Sequence, residues 1–303
     1  MFIVNHRTLF FSLTGFILAA AIASIAWFGL PLGIDFTGGS LTTVSYSGPR
    51  PTLSVLDKRV SAIPLGQVEL QYSGAHNVLV RTPTLTPKEH AAVLAALSTK
   101  NAPATELSFT SVGPTLGSEL GRKALVALGV VILTIVLYIA WAFRKVSRPV
   151  SSWVYGTIVV AILFHDVIIP TGFYALFAHF TGARADSLFA VALLTILGYS
   201  VNDTIVIFDR VREHLARDER TATHEEFAAL IGRSINETMG RSINTSLTVA
   251  LVLIALAILG SAVTFNFSLV LLAGVIAGTY SSILLAAPLL VPVSRYFMER
   301  KNK

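Results

Sequence analysis

The stretch TILGYSVNDTIVIFDR, residues 195–210, reads as the interior of a membrane helix until Asn202 and Asp203 interrupt it. An ionised carboxylate at the centre of a lipid-facing helix costs about 3 kcal/mol or more, so one kept there faces other helices and has a partner or a proton. Asp203 lies five residues inside Phe208. At about 1.5 Å per residue that is roughly 7 to 8 Å below the end of the apolar run, too deep for so short a side chain to snorkel. Tyr199 and Ser200 fall one turn away on the same face and are candidate hydrogen-bond donors, and Gly198 leaves room for a neighbouring helix. Two roles follow for Asp203: a structural interhelical hydrogen bond, or a group that exchanges protons.

The composition supports the membrane reading. The chain has 303 residues, 53% hydrophobic and only 13% charged, with a mean hydropathy of +0.70, far from an average soluble domain. The net charge of +6 is dispersed rather than gathered into a basic domain, so no nucleic-acid partner is expected. The absence of cysteine excludes disulfide frameworks, thiolate nucleophiles and Cys-ligated metals.

A bilayer core about 30 Å thick needs roughly 20 apolar residues in a helix. Six runs qualify, at 9–30, 124–143, 150–177, 188–208, 243–263 and 267–293. The first is longer than the apolar region of a cleaved signal peptide and is read as an anchor. Pro170 should kink the third, and Pro288 and Pro292 should bend or finish the sixth.

Lys and Arg in short connections set the orientation. Arg7 precedes span 1; Arg144, Lys145 and Arg148 lie between spans 2 and 3; Arg210, Arg212, Arg217, Arg220 and Arg233 lie between spans 4 and 5; Arg295, Arg300, Lys301 and Lys303 end the chain. The opposite short loops offer only Arg184. Both termini are therefore expected in the cytoplasm, although Arg122 and Lys123 lie on the outer side of span 2.

The long loop, residues 31–123, is expected outside as a small domain. SLTTVSY alternates as a strand, TLSVLDKRVSAI has helical spacing, and QVELQYS and NVLVRTP flank Gly74 as a hairpin. TPKEHAAVLAALSTK is a second helix with Thr86 and Glu89 as a capping box, and TELSFTSV is a last strand. The order β-α-β-β-α-β is the ferredoxin-like pattern. No phosphate-binding loop, metal-ligand spacing or nucleophile with a base lies in it, which points to binding or mechanical work rather than catalysis. The expected organisation is thus a polytopic α-helical membrane protein: 1–30 as the N-terminus and span 1, 31–123 as the extracytoplasmic α+β domain, 124–208 as spans 2 to 4, 209–242 as a cytoplasmic connection, and 243–303 as spans 5 and 6 with a basic tail.

In the 209–242 connection, Thr223 and Glu226 form another capping box, and Phe227, Leu230, Ile231 and Ile235 share a helical stripe. An amphipathic helix lying along the inner membrane surface is expected. GRSIN occurs at 232 and again at 240. Copies eight residues apart are turned about 80° from one another, so Arg233 and Arg241 should not share a partner. Arg241 can enter the apolar run, snorkel to lipid phosphates, or pair with Glu237 one turn earlier. His165 and Asp166 sit near the middle of span 3, where a transport role and a packing role both remain open; as adjacent residues they should point about 100° apart. Gly274 and Gly278 form a small-xxx-small face for helix packing.

GIDFTGG at 33–39, FHD at 164–166, GYSVNDTIVIFDRVRE at 198–213 and TMGRSINTS at 238–246, in this order and topology, resemble the SecF branch of the SecD/SecF family of the bacterial Sec protein-export machinery. That family belongs to the proton-driven resistance-nodulation-division superfamily and resembles one half of such transporters. The resemblance implies an inner-membrane subunit, not an enzyme, that works with SecD beside the SecYEG channel and SecA, with YajC as a further partner. It would complete export of unfolded preprotein on the outer face using the proton gradient, with no cofactor. It also implies that Asp203 is the family's proton-relay aspartate and Arg241 its partner arginine; Asn202, Tyr199, His165 and Asp166, read from their intramembrane positions alone, are candidate auxiliary polar residues. The alternative is a proton-coupled exporter of small solutes or lipids.

Overall fold

The computed structural model describes residues 2–99, 101–144, 152–217 and 223–301. Lys145, Arg148, Arg220 and Lys303, which contribute to the expected orientation, lie outside them. The chain divides into two compact units: residues 1–30, 126–183 and 188–303 form one, and 31–125 with 184–187 form the other.

The first unit is helical. Among the described residues, six helices are long and apolar enough to cross a membrane: Arg7–Phe28, Pro114–Ala142, Trp153–Thr181, Ser187–Arg217, Glu225–Leu259 and Thr264–Ser294, here spans 1 to 6. Their burial separates them into two classes. Spans 3, 4 and 6 bury 56%, 50% and 61% of their most apolar segments, whereas spans 1, 2 and 5 bury 11%, 6% and 17%. Spans 3, 4 and 6 are therefore the core of the bundle.

Lipid tails are as apolar as leucine, so close packing and hydrogen bonds, rather than escape from water, hold such helices together. A Cβ at Gly274 would collide with the Ile196 side chain, and one at Gly278 would lie 2.9 Å from the Ser200 Cβ. The small-residue face of span 6 is thus the seat of span 4. Gly198, expected to admit a neighbour, has nothing among the described residues within 4 Å of the corresponding position: its side of span 4 faces out of the bundle. Phe143, Tyr155 and Phe208 add an aromatic cluster with ring centroids 5.1 to 6.1 Å apart.

Both proline expectations resolve inside continuous helices. Span 3 is helical from Ser152 to Thr181 with Pro170 inside it. Span 6 runs from Ala262–Ser281 through a π-helical turn, Ser282–Ala286, into Ala287–Lys301. Pro288 has no N–H for the carbonyl of Leu284, which lies within that turn, so the widened turn absorbs the defect and the helix continues.

The expected surface helix is different in the structure. His224–Leu259 is one helix of 36 residues, about 54 Å long, and so exceeds a hydrocarbon core of about 30 Å. Its start is the predicted capping box: Thr223 N–H donates to Glu226 at 3.0 Å, and Glu226 N–H to the Thr223 hydroxyl at 3.2 Å. Phe227, Leu230, Ile231 and Ile235 are buried in one cluster with Val4, Phe208 and Val211. The stripe is satisfied by protein, which removes its reason to lie on lipid.

In the second unit, β1 (Gly39–Tyr46), the helix Leu53–Val60, β2 (Glu69–Ser73), β3 (Asn77–Thr82), the helix Pro87–Leu97 and β4 (Ala104–Val112) follow in order. The sheet is antiparallel with order β2-β3-β1-β4, the ferredoxin-like arrangement. Val44, Tyr46, Leu56, Val60, Val78, Val80, Val93 and Leu97 form its core. The GG of GIDFTGG has a steric basis. Gly38 and Gly39 have φ of 77° and 125°, and Cβ atoms there would come within 2.6 Å of Pro114 Cα and 2.8 Å of the Thr82 carbonyl oxygen.

Candidate functional site

Among the described residues of the helical unit two carboxylates are buried, and their surroundings differ. Asp166, with no exposed surface, is fully partnered. Its Oδ1 is 2.7 Å from Nδ1 of His165, and its Oδ2 accepts hydrogen bonds from the Ser200 and Ser281 hydroxyls, the second at 3.1 Å. The other ring nitrogen of His165 is 2.9 Å from the Tyr280 hydroxyl. These contacts tie spans 3, 4 and 6 together at one point. The sequence expectation that His165 and Asp166 diverge is corrected: their backbone vectors do, but the ring swings back far enough to reach the neighbouring carboxylate.

Asp203 is 3% exposed, and its Oδ2 has no hydrogen-bond partner among the described residues. The two donors expected from its own helix are committed elsewhere. Ser200 is spent on Asp166, and Tyr199 donates to Ser246 at 2.8 Å, a hydroxyl that also receives Thr279 at 2.6 Å. Three residues back on a helix is a turn of about 60° from Asp203, enough to aim Ser200 at spans 3 and 6. Facing Asp203 from span 5 is Ser242, within interaction range of the carboxylate, yet the Ser242 hydroxyl also lacks a well-formed hydrogen bond.

Arg241 is exposed; its charge acts on Asp203 through space without an ion-pair contact. It does not pair with Glu237 either. That carboxylate takes Arg210, Arg233 at 3.0 Å and His214 at 3.0 Å. Sequence reasoning missed His214, which is buried; its spacing from Arg210, one turn along the same helix, was the available signal.

Around Arg241 and Asn202 the surface is polar and open. Thr195, Gly198 and Asn202 are exposed along span 4, and Asn236, Gly240, Arg241, Asn244 and Thr245 along span 5. In hydrocarbon such groups are expensive, and small residues beside them permit close helix approach. Chemically, the arrangement offers a buried carboxylate with an unused oxygen, a hydroxyl facing it, and a guanidinium at the edge of an uncovered polar face. Among the described residues no group of three or more His, Cys, Asp or Glu side chains is placed to hold a metal ion.

Comparison with known proteins adds to this geometry. Residues 92–296 match the family described as protein export membrane protein SecD/SecF, C-terminal, and residues 23–49 match the SecD/SecF GG motif. The chain is 35% identical over 292 residues to the protein translocase subunit SecF of Anaerolinea thermophila, covering 95% of this chain and 92% of that one. It is 36% identical over 303 residues to the SecF of Thermobaculum terrenum, with the same coverage of 95% and 92%. Among solved structures it is similar to SecDF, a translocon-associated membrane protein from Thermus thermophilus, with a TM-score of 0.82 and 31% identity over 96% of this chain. The chain spans 38% of the length of that SecDF chain.

Proposed function

The chain belongs to the SecD/SecF family of protein-export membrane proteins, and from that premise we propose that it works with SecD to drive preprotein export with the proton-motive force. In this reading it is a transport component, not an enzyme, of the bacterial cytoplasmic membrane, with both termini inside and the sheet domain outside. SecYEG with SecA, and YajC, are its neighbours, and unfolded preprotein emerging on the outer face is its substrate. The energy source is the proton gradient, without a cofactor.

The observation that carries the reading is the unused oxygen of Asp203. A structural carboxylate in this bundle looks like Asp166, with its acceptors filled; a carboxylate that must take and release a proton needs a vacant position. Deprotonated, Asp203 is drawn to the guanidinium of Arg241; protonated, it loses that attraction, and the open faces of spans 4 and 5 repack against SecD. The membrane potential supplies about 2.3 kcal/mol per charge per 100 mV. That exceeds the roughly 1.4 kcal/mol needed to shift a two-state equilibrium tenfold, so one proton suffices to bias the switch.

The test is reconstitution of the chain with SecD and the channel in liposomes, reading proton uptake and preprotein translocation under an imposed gradient. Asp203→Asn should remove the gradient-dependent part of translocation while leaving complex formation intact, and Asp203→Glu should retain part of it. Arg241→Lys, which keeps charge but loses the planar fork, should be milder than Arg241→Met. Gradient-driven export by the Asn variant at the wild-type rate would sink the reading.

A further inference from the structure

Residues 184–187 run from the connection after span 3 to the first residue of span 4, yet they belong structurally to the sheet domain. Leu32 and Ala185 form a parallel β-bridge, with Gly33 N–H donating to the Ala185 carbonyl at 2.7 Å and Ala185 N–H to the Pro31 carbonyl at 2.8 Å. The guanidinium of Arg184 is ion-paired with Glu69 on β2. A Cβ at Gly33 would lie 3.0 Å from the Ala185 oxygen, so the two strands of chain are in close contact. The last link is Asp35, whose carboxylate accepts the backbone N–H of Ser187 at 2.8 Å.

Ser187 is the first residue of the helix that carries Asp203. We propose that Asp35 is a positioning residue that couples the proton site to the sheet domain, by holding the first turn of span 4 in the domain's GIDFTGG segment. The inference rests on the proton-driven reading above. The helix is unbroken from Ser187 to Asp203, sixteen residues or about 24 Å, so a displacement at the level of Asp203 is delivered at Ser187 rather than lost in a bend. From Ser187 it passes through Asp35 and the Leu32–Ala185 bridge to Gly38 and Gly39, whose backbones abut Pro114 and Thr82, and so into β1 and its neighbour β3. A carboxylate suits this position twice over: it satisfies a donor that has no partner within the helix, and it lies at the positive end of the helix dipole.

A coupling bond and a merely structural one predict different behaviour in the reconstituted complex with SecD. If Asp35 transmits motion, Asp35→Ala should cut gradient-driven translocation at least about fivefold, the range of one lost helix cap, while proton uptake continues at close to the wild-type rate. Asp35→Asn, which keeps an acceptor oxygen, should restore most of the export. Ser187→Pro removes the same N–H at a position where proline suits a helix start, and should reproduce Asp35→Ala.

The chain has no cysteine, so a Leu32→Cys/Ala185→Cys pair gives one new disulfide between β-bridge partners. Their spacing of about 5 Å fits the bond. Oxidised, it should restore export to the Asp35→Ala background, and reduction should abolish the rescue. Wild-type export by Asp35→Ala, or loss of export and proton uptake in proportion with no rescue by the disulfide, would overturn the proposal. A wild-type complex whose export ignores the gradient would bring down the proton-driven reading first, and this inference with it.

Discussion

Asp166 and Asp203 are both buried, both in the core of the bundle, and separated by one helix pairing, yet one is saturated with donors and the other has an oxygen to spare. Asp166 gathers a ring nitrogen and two hydroxyls from spans 3, 4 and 6, the three most buried spans. Asp203 looks toward span 5, which is mostly uncovered. Burial alone therefore does not mark a functional carboxylate in a membrane. What distinguishes the two is whether the surrounding side chains have already spent their hydrogen bonds on it.

The largest effect that could break this contrast is on Asp166. Removing its carboxylate strands a histidine and two hydroxyls in the core, and disrupting a buried charged network costs roughly 3 to 5 kcal/mol. Asp166→Ala should lower the yield of inserted, monodisperse protein and its thermal stability in detergent sharply, before any transport is measured. Asp203→Asn should leave both close to wild type, because no described hydrogen bond to Oδ2 is lost. If Asp203→Asn destabilises the chain as much as Asp166→Ala, the two carboxylates are structural equivalents.

The sequence carried one side of this contrast further than the other. Asp203 could be found because a carboxylate in an apolar run is conspicuous, and the four strands, both capping boxes and the six spans follow from spacing that the backbone imposes. Which helix faces which does not follow from spacing. Ser200 and Tyr199 share a face with Asp203, but span 3 and span 5 compete for their hydroxyls, and that competition exists only in three dimensions. Gly198 reads as a contact glycine and points outward; the true seat of span 4 is the Gly274 and Gly278 pair. The helix His224–Leu259 reads as two elements because its polarity changes near Arg241, while its hydrogen bonding does not change there at all. The attachment of residues 184–187 to the sheet domain is invisible for the same reason, since backbone bonds to Pro31 and Gly33 leave no mark in side-chain pattern.

A pair of serines sharpens the comparison at smaller scale. Ser281 donates to Asp166, whereas Ser242 faces Asp203 without a well-formed bond. Ser281→Ala should cost about 1 kcal/mol, the usual worth of an interhelical hydrogen bond in a membrane, and Ser242→Ala should be within about 0.5 kcal/mol of wild type. Thermal unfolding of the two variants in the same detergent gives the ranking. A larger loss at Ser242 would mean that the Asp203 oxygen is occupied after all.

The smallest effect comes from a third carboxylate, which shows what the same chemistry does in water. Glu89 accepts the Thr86 N–H at 2.7 Å and returns its own N–H to the Thr86 hydroxyl at 3.4 Å, closing the box that starts the Pro87–Leu97 helix. The backbone N–H bond from Thr86, followed by the Thr86 hydroxyl, holds its carboxyl below the ordinary value of 4.5. A group whose folded pKa is depressed adds stability that is complete above its unfolded value and is lost as pH falls through the folded one. Amide exchange at the start of this helix, corrected for the intrinsic rate, should therefore accelerate as the pH drops below about 4.5 in the wild type. Glu89→Gln cannot titrate, so it should show slightly weaker protection at neutral pH and no step on acidification. The same step in both proteins would assign it to another group and leave the cap without a role in it. Since the carboxylate is solvated, the change should be confined to the first turn and leave the sheet core of Val44, Val78 and Val80 protected, in contrast to the global loss expected when the buried Asp166 is removed.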